Sequence, residues 1–121
     1  MSTRKAFVDG SDIGSAFYDL SSTTNSITAA GTVQADATAL GTNTYQRLTT
    51  VAASTGVRLP VALAGMRIVI FNKGASTVNV FPATSGIINA LSANAAYTLA
   101  AAKSAEFVCM VDGTWDTLLS V

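Results

Sequence analysis

Residues 65–115, GMRIVIFNKGASTVNVFPATSGIINALSANAAYTLAAAKSAEFVCMVDGTW, decide how this chain is read. Residues 66–71 are a short run of large and β-branched side chains. Asn72, Lys73 and Gly74 then supply the small and polar residues that a chain reversal needs. Residues 77–81 answer with a second β-prone run that Pro82 ends, and the pair predicts a β-hairpin. A second hairpin is predicted with residues 106–111 and 114–119 as arms. Its turn is Asp112-Gly113, read as a two-residue type I′ turn, which needs positive φ at both central positions.

Between the two hairpins, residues 90–103 raise the one question of helix against strand. Seven of these fourteen residues are Ala, the best helix former. Only Leu91, Tyr97 and Leu99 have bulk, however, and they make no i, i+3, i+4 stripe. Without a face to bury, a helix of this length is marginal. The expected reading is a loop over 92–95, a short strand over 96–99 and a turn through 100–103.

Upstream, TYQRLTTV (residues 44–51) alternates in bulk and is rich in β-branched residues. Residues 57–59 form a short strand that Pro60 stops, because proline cannot donate to a ladder. The stretch between Gly31 and Gly41 reads as strand, although its alanines also suit a helix. Residues 1–30 read as an extended N-terminal arm or edge segment. Within it, 6–8 and 16–20 are brief apolar runs, each followed by turn or polar residues. Phe7, Phe17 and Tyr18 are candidate interface anchors there, since aromatics favour interface cores. The expected fold is all-β: a small sandwich or barrel of eight to ten short antiparallel strands over residues 31–121, with the arm preceding it.

Composition narrows the function. Of 121 residues, 50% are hydrophobic and 12% charged, against about 25% charged in an ordinary soluble domain. Twenty-one Ala, 16 Thr and 12 Ser take the place of the missing charges. Such a surface suits close contact with other subunits, because few ionic groups must be desolvated. Seven basic and seven acidic residues cancel. No basic run exceeds Arg4-Lys5, so nucleic acid is not an expected partner. No segment approaches the roughly 20 apolar residues of a membrane-spanning helix, and no apolar stretch follows Arg4-Lys5 as a signal peptide requires, so a membrane is not expected either. Synthesis in a cytoplasm is expected, and the single Cys109 fits a reducing compartment.

No chemistry of catalysis stands out. The chain has no His, which removes Ser-His-Asp and Cys-His pairs and histidine-based zinc sites. Cys109 lies among apolar neighbours and reads as a small buried hydrophobe. Asp112 and Asp116 flank a hairpin tip but lack the six to eight oxygens of a calcium site. Asp9-Gly10-Ser11-Asp12 lacks the spacing of an EF-hand loop, and Gly10 and Gly14 do not make a phosphate loop. Lys103-Ser104 has only adjacency in its favour as a dyad. No catalytic residue, cofactor or metal site is expected.

Trp115 admits two readings: a cap on the core with its N–H bonded, or an exposed platform for a sugar or a partner chain. Arg47, Arg58 and Arg67 stand singly in predicted strands. Each is either a solvated outward residue or half of an intersubunit ion pair with Asp36 or Glu106. The candidate interface set is Phe7, Phe17, Tyr18, Tyr45, Arg47, Arg67 and Trp115.

The order GVRLP (56–60), G-x-R-IVIFNKGASTVNVFP (65–82), IINALSANAAYTLAAAKSAEFVC (87–109) and DGTW (112–115) resembles a module in small virion proteins of tailed bacteriophages. These include head decoration, or cement, proteins and other minor structural proteins. The resemblance runs from Gly31 onward. It implies a structural protein on the outside of the virion capsid, a homotrimer whose partner is the major capsid protein and which locks neighbouring capsomers. The alternative is a tail-fibre or receptor-binding module for a host glycan or surface protein, in which Trp115, Tyr97 and Tyr45 should be exposed together.

Overall fold

The computed structural model describes residues 22–120. The chain is all-β over them, with ten strands in two sheets that share one core. In chain order these are β1 (Thr23–Thr28), β2 (Thr38–Ala39), β3 (Tyr45–Thr50), β4 (Gly56–Arg58), β5 (Arg67–Asn72), β6 (Val78–Phe81), β7 (Ile87–Ile88), β8 (Tyr97–Leu99), β9 (Ser104–Val111) and β10 (Thr114–Leu119). The larger sheet has the order β1-β3-β5-β9-β10-β7 and the smaller β2-β4-β6-β8.

The chain crosses from the larger sheet to the smaller and back three times, through β1-β2, β3-β4 and β5-β6. Strands stacked by this winding run parallel: β1 with β3, β3 with β5, β2 with β4 and β4 with β6. The result is three coils of a short β-solenoid. After β6 the direction reverses. β8 lies antiparallel to β6, and β9 lies antiparallel to β5, so a fourth layer covers the last coil.

Two expectations change here. Among the described residues only three strand pairings are antiparallel, β5 with β9, β6 with β8 and β9 with β10, whereas an all-antiparallel fold was expected. The predicted hairpin over 66–81 is also not one: its arms, β5 and β6, lie in different sheets, joined by a corner. The reason is common to both. Alternation marks which side chains face inward, and a polar turn marks a reversal, but neither says which strand comes alongside. A hairpin and a corner between facing sheets carry the same local signal.

The corner is built from Asn72, a fully buried polar residue at an inward position. Its Nδ2 donates to the carbonyls of Ser76 and Leu99, both at 3.0 Å, and its Oδ1 accepts from Gly74 N at 3.0 Å. Gly74 packs on the preceding coil so closely that a Cβ there would lie 2.5 Å from Val51 Cβ. Corners of successive coils are thereby stacked, with Lys73 N donating to Leu48 O.

The second predicted hairpin is present as β9-β10. Its turn differs in type, because positive φ occurs at Gly113 (88°) and not at Asp112. The pairing slips between Thr114 and Trp115, so a bulge does the work that a second left-handed residue would have done. The 90–103 segment is a turn, β8 and a second turn, and it holds no helix. The stretch between Gly31 and Gly41 is mixed, a 3-10 turn (Gln34–Asp36) followed by two-residue β2. β1 falls where polar residues predicted none, with Ile27 as its one buried side chain. The apolar runs 6–8 and 16–20, with Phe7, Phe17 and Tyr18, lie outside the described residues.

Inward side chains of both sheets meet in the core: Leu48, Ile68, Ile70, Phe107, Ile88 and Trp115 from the larger sheet, Val57, Val78, Val80 and Leu99 from the smaller. Tyr97 meets Phe107 edge to face, centroids 5.6 Å apart. Trp115 is 0% exposed, which decides for the core reading. Its Nε1 has no partner among the described residues, contrary to the bonded N–H expected.

Candidate functional site

The period of two that sends Leu48, Ile70 and Phe107 inward sends another set outward on the larger sheet. Tyr45 and Arg47 come from β3, Arg67, Val69 and Phe71 from β5, Glu106 from β9 and Leu118 from β10. Register places them side by side, with Tyr45 opposite Val69, Arg47 opposite Phe71, Val69 opposite Glu106 and Leu118 opposite Glu106.

At its centre Arg67 Nε and the Glu106 carboxylate form an ion pair within one chain. The Arg67 guanidinium also stands 5.7 Å from the Tyr45 ring centroid, within cation–π range. Tyr45 first, and then Glu106, hold the Arg67 pKa above its already high ordinary value, so this side chain is a permanent cation. Tyr45 and Phe71 pair with centroids 6.5 Å apart. These two rings form a ridge between two shallow grooves. One, of about 390 Å³, is lined by Arg67, Val69, Glu106 and Leu118 among others. The other, of about 410 Å³, is lined by Thr23, Asn25, Gln46 and Arg47. Arg47 Nη1 donates to Asn25 Oδ1 at 3.2 Å across that second groove.

Three of the candidate interface residues, Tyr45, Arg47 and Arg67, therefore share one face. Trp115 does not join them, being sealed in the core. Tyr97 is on the smaller sheet, so Trp115, Tyr97 and Tyr45 make no common stacking platform. Arg67 pairs with Glu106 of its own chain. Arg58 donates to the Gln34 carbonyl at 2.9 Å, and Asp36 accepts from Thr32 N and Val33 N at the 3-10 turn. Asp112 accepts from Ala64 N at 2.7 Å, a structural tie between a loop and the hairpin tip.

Sequence reasoning missed a second surface. Val61 (66% exposed), Leu63 (55%), Met110 (70%) and Val111 (66%) lie at the hairpin end of the sandwich. The 61–66 loop is held there by Gly65 N donating to Cys109 O and Gly113 N donating to Ala62 O. The signal was present in SAEFVCMV: with Ala105, Phe107 and Cys109 inward, Met110 must face out.

Cys109 is buried, and its Sγ donates to Val111 O at 3.1 Å. Burial, and secondly the Asp112 charge, push its thiol pKa up, away from a reactive thiolate. Among the described residues no three His, Cys, Asp or Glu side chains gather as a metal site would need, and no helix is long and apolar enough to cross a membrane. Comparison of the chain with protein-family models, curated proteins and solved structures finds no match.

Proposed function

We propose that this chain is a structural virion protein of a tailed bacteriophage, decorating and stabilising the outside of the capsid through contacts between subunits. Its partners are the major capsid protein and its own copies in a homotrimer, and it works without cofactor or catalysis. The observation that carries this reading is the outer face of the larger sheet. There Tyr45, Phe71, Val69 and Leu118 surround the Arg67–Glu106 pair, the mixture of aromatic, Arg and aliphatic groups found in interface cores. A protein that binds only the assembled shell stabilises that state by mass action.

The test is co-sedimentation of the purified chain with expanded shells. Tyr45→Ala and Arg67→Glu are expected to weaken binding at least about tenfold, as loss of an interface anchor does. Their unfolding midpoints should move little, since an exposed ion pair is screened by solvent and adds little to stability. A native chain that ignores shells and binds host cells or glycans instead would replace this reading with that of a receptor-binding module.

A further inference from the structure

The hairpin end of the sandwich and the opposite end, where β3 and β5 stop at their corners, differ in charge and in side-chain size. At the hairpin end Val61, Leu63, Met110 and Val111 are each more than half exposed, an apolar cluster of the kind that marks contact with another molecule. Its rim is acidic. Asp112 follows Val111, and Asp116, opposite Val108 in the ladder, is the diagonal neighbour of Met110. One oxygen of Asp112 accepts from Ala64 N, and the carboxylate keeps further acceptor sites. Arg67 borders the same cluster but is held by Glu106.

At the corner end the exposed side chains are small, with Ala52, Ala53, Ala75 and Ala102 among them. Lys73 and Lys103 stand there in adjacent segments, since Asn72 N donates to Lys103 O and Lys73 is the next residue. Asp36, in the first corner, is taken up by Thr32 N and Val33 N. The two surfaces are complementary, bulky and acidic against methyl-lined and basic. They cannot meet within one chain. Lys103 directly precedes β9 and Asp112 directly follows it, so at about 3.3 Å per residue roughly 30 Å of strand lies between them. Every copy carries both.

We infer that the hairpin end of one copy docks on the corner end of the next, with Met110 and Val111 against the exposed alanines and Asp112 and Asp116 against Lys73 and Lys103. Such a contact is heterologous, and repeated around an axis it closes a ring. It supplies the contact between copies that the proposed homotrimer needs and rests on that part of the reading alone.

Sedimentation velocity of the full chain tests it, with co-sedimentation on shells measured separately. The native chain is expected to form a discrete oligomer. Met110→Glu, Asp116→Lys and the pair Lys73→Glu with Lys103→Glu are each expected to weaken association at least about tenfold, because a buried charge or two facing like charges disfavour the contact. Asp116→Lys, Lys73→Glu and Lys103→Glu combined in one chain are expected to strengthen it again, which a folding defect would not do. A native chain that stays monomeric overturns the inference even if it binds shells, and an oligomer indifferent to the lysine substitutions overturns it in favour of another contact. An oligomer that responds as expected but ignores shells upholds this contact and removes the capsid reading instead.

Discussion

The two ends of the coil stack are made of similar strands and differ, among the described residues, in what lies beyond them. At the far end β5 and β6 are each flanked on both sides, and the long antiparallel return of β9 adds Phe107, Cys109 and, through β10, Trp115 to the core. At the near end β1 and β2 have one neighbour each among the described residues, and Ile27 of β1, with Ala29 and Leu40 just beyond these strands, is buried but not completely. Repeated coils alone leave an end, and β8 and β9 cover one end of this stack by turning back on it.

The largest effect that would break this contrast concerns the core. Phe107→Ala is expected to cost about 3–5 kcal/mol in urea denaturation, and Ile27→Ala about 2 kcal/mol, the low end for such truncations, because an edge site can relax around the loss. Equal losses would mean that the near end is as tightly built as the far one.

Buried amides sharpen it next. Removing Asn72 orphans the fully enclosed Leu99 carbonyl together with Ser76 O and Gly74 N, so Asn72→Ala should cost about 2–3 kcal/mol. Gln46 plays the same part on β3, nearer the β1–β2 end, donating to Gly41 O at 2.8 Å and Asn43 O at 3.0 Å. Those carbonyls are only partly enclosed and can turn to water, so Gln46→Ala should cost about 1 kcal/mol. A reversed order in thermal melts would contradict the contrast.

The smallest effect is confined to alkaline pH. The Cys109 thiol is pushed above 9.0 in the folded chain by burial and then by Asp112. The folded state therefore holds its proton where the unfolded state releases it. This stabilisation is fully present below about 9.0 and is lost as pH rises toward the folded value. Cys109→Ala should lose less stability than the native chain between pH 8 and about 10.5, measured as the difference in urea midpoints; parallel pH curves would show a solvated thiol.

Much of the fold was legible residue by residue. Strands β3, β4, β5, β6, β8, β9 and β10 all fall on runs of β-branched or alternating residues, and the burial of Cys109 followed from its neighbours. β1 was not legible, because TTNSIT has one apolar side chain and is a strand only by virtue of β3 beside it. The candidate face was half legible. Tyr45, Arg47 and Arg67 stood out as single features, but Val69, Phe71 and Leu118 were not singled out, because only the larger sheet shows which side each strand buries.

By itself, the sequence determined that the chain is β, where most strands begin and end, and that charge would play little part on its surface. These are local matters, set by side-chain branching, alternation and turn chemistry within a few residues. Only the tertiary structure decided that 66–81 is a corner and not a hairpin, that most neighbours run parallel, and that Arg67 meets Glu106 while Trp115 is sealed away. Parallel partners sit 19 to 27 residues apart here, and no short-range signal encodes a hydrogen bond between residues that distant.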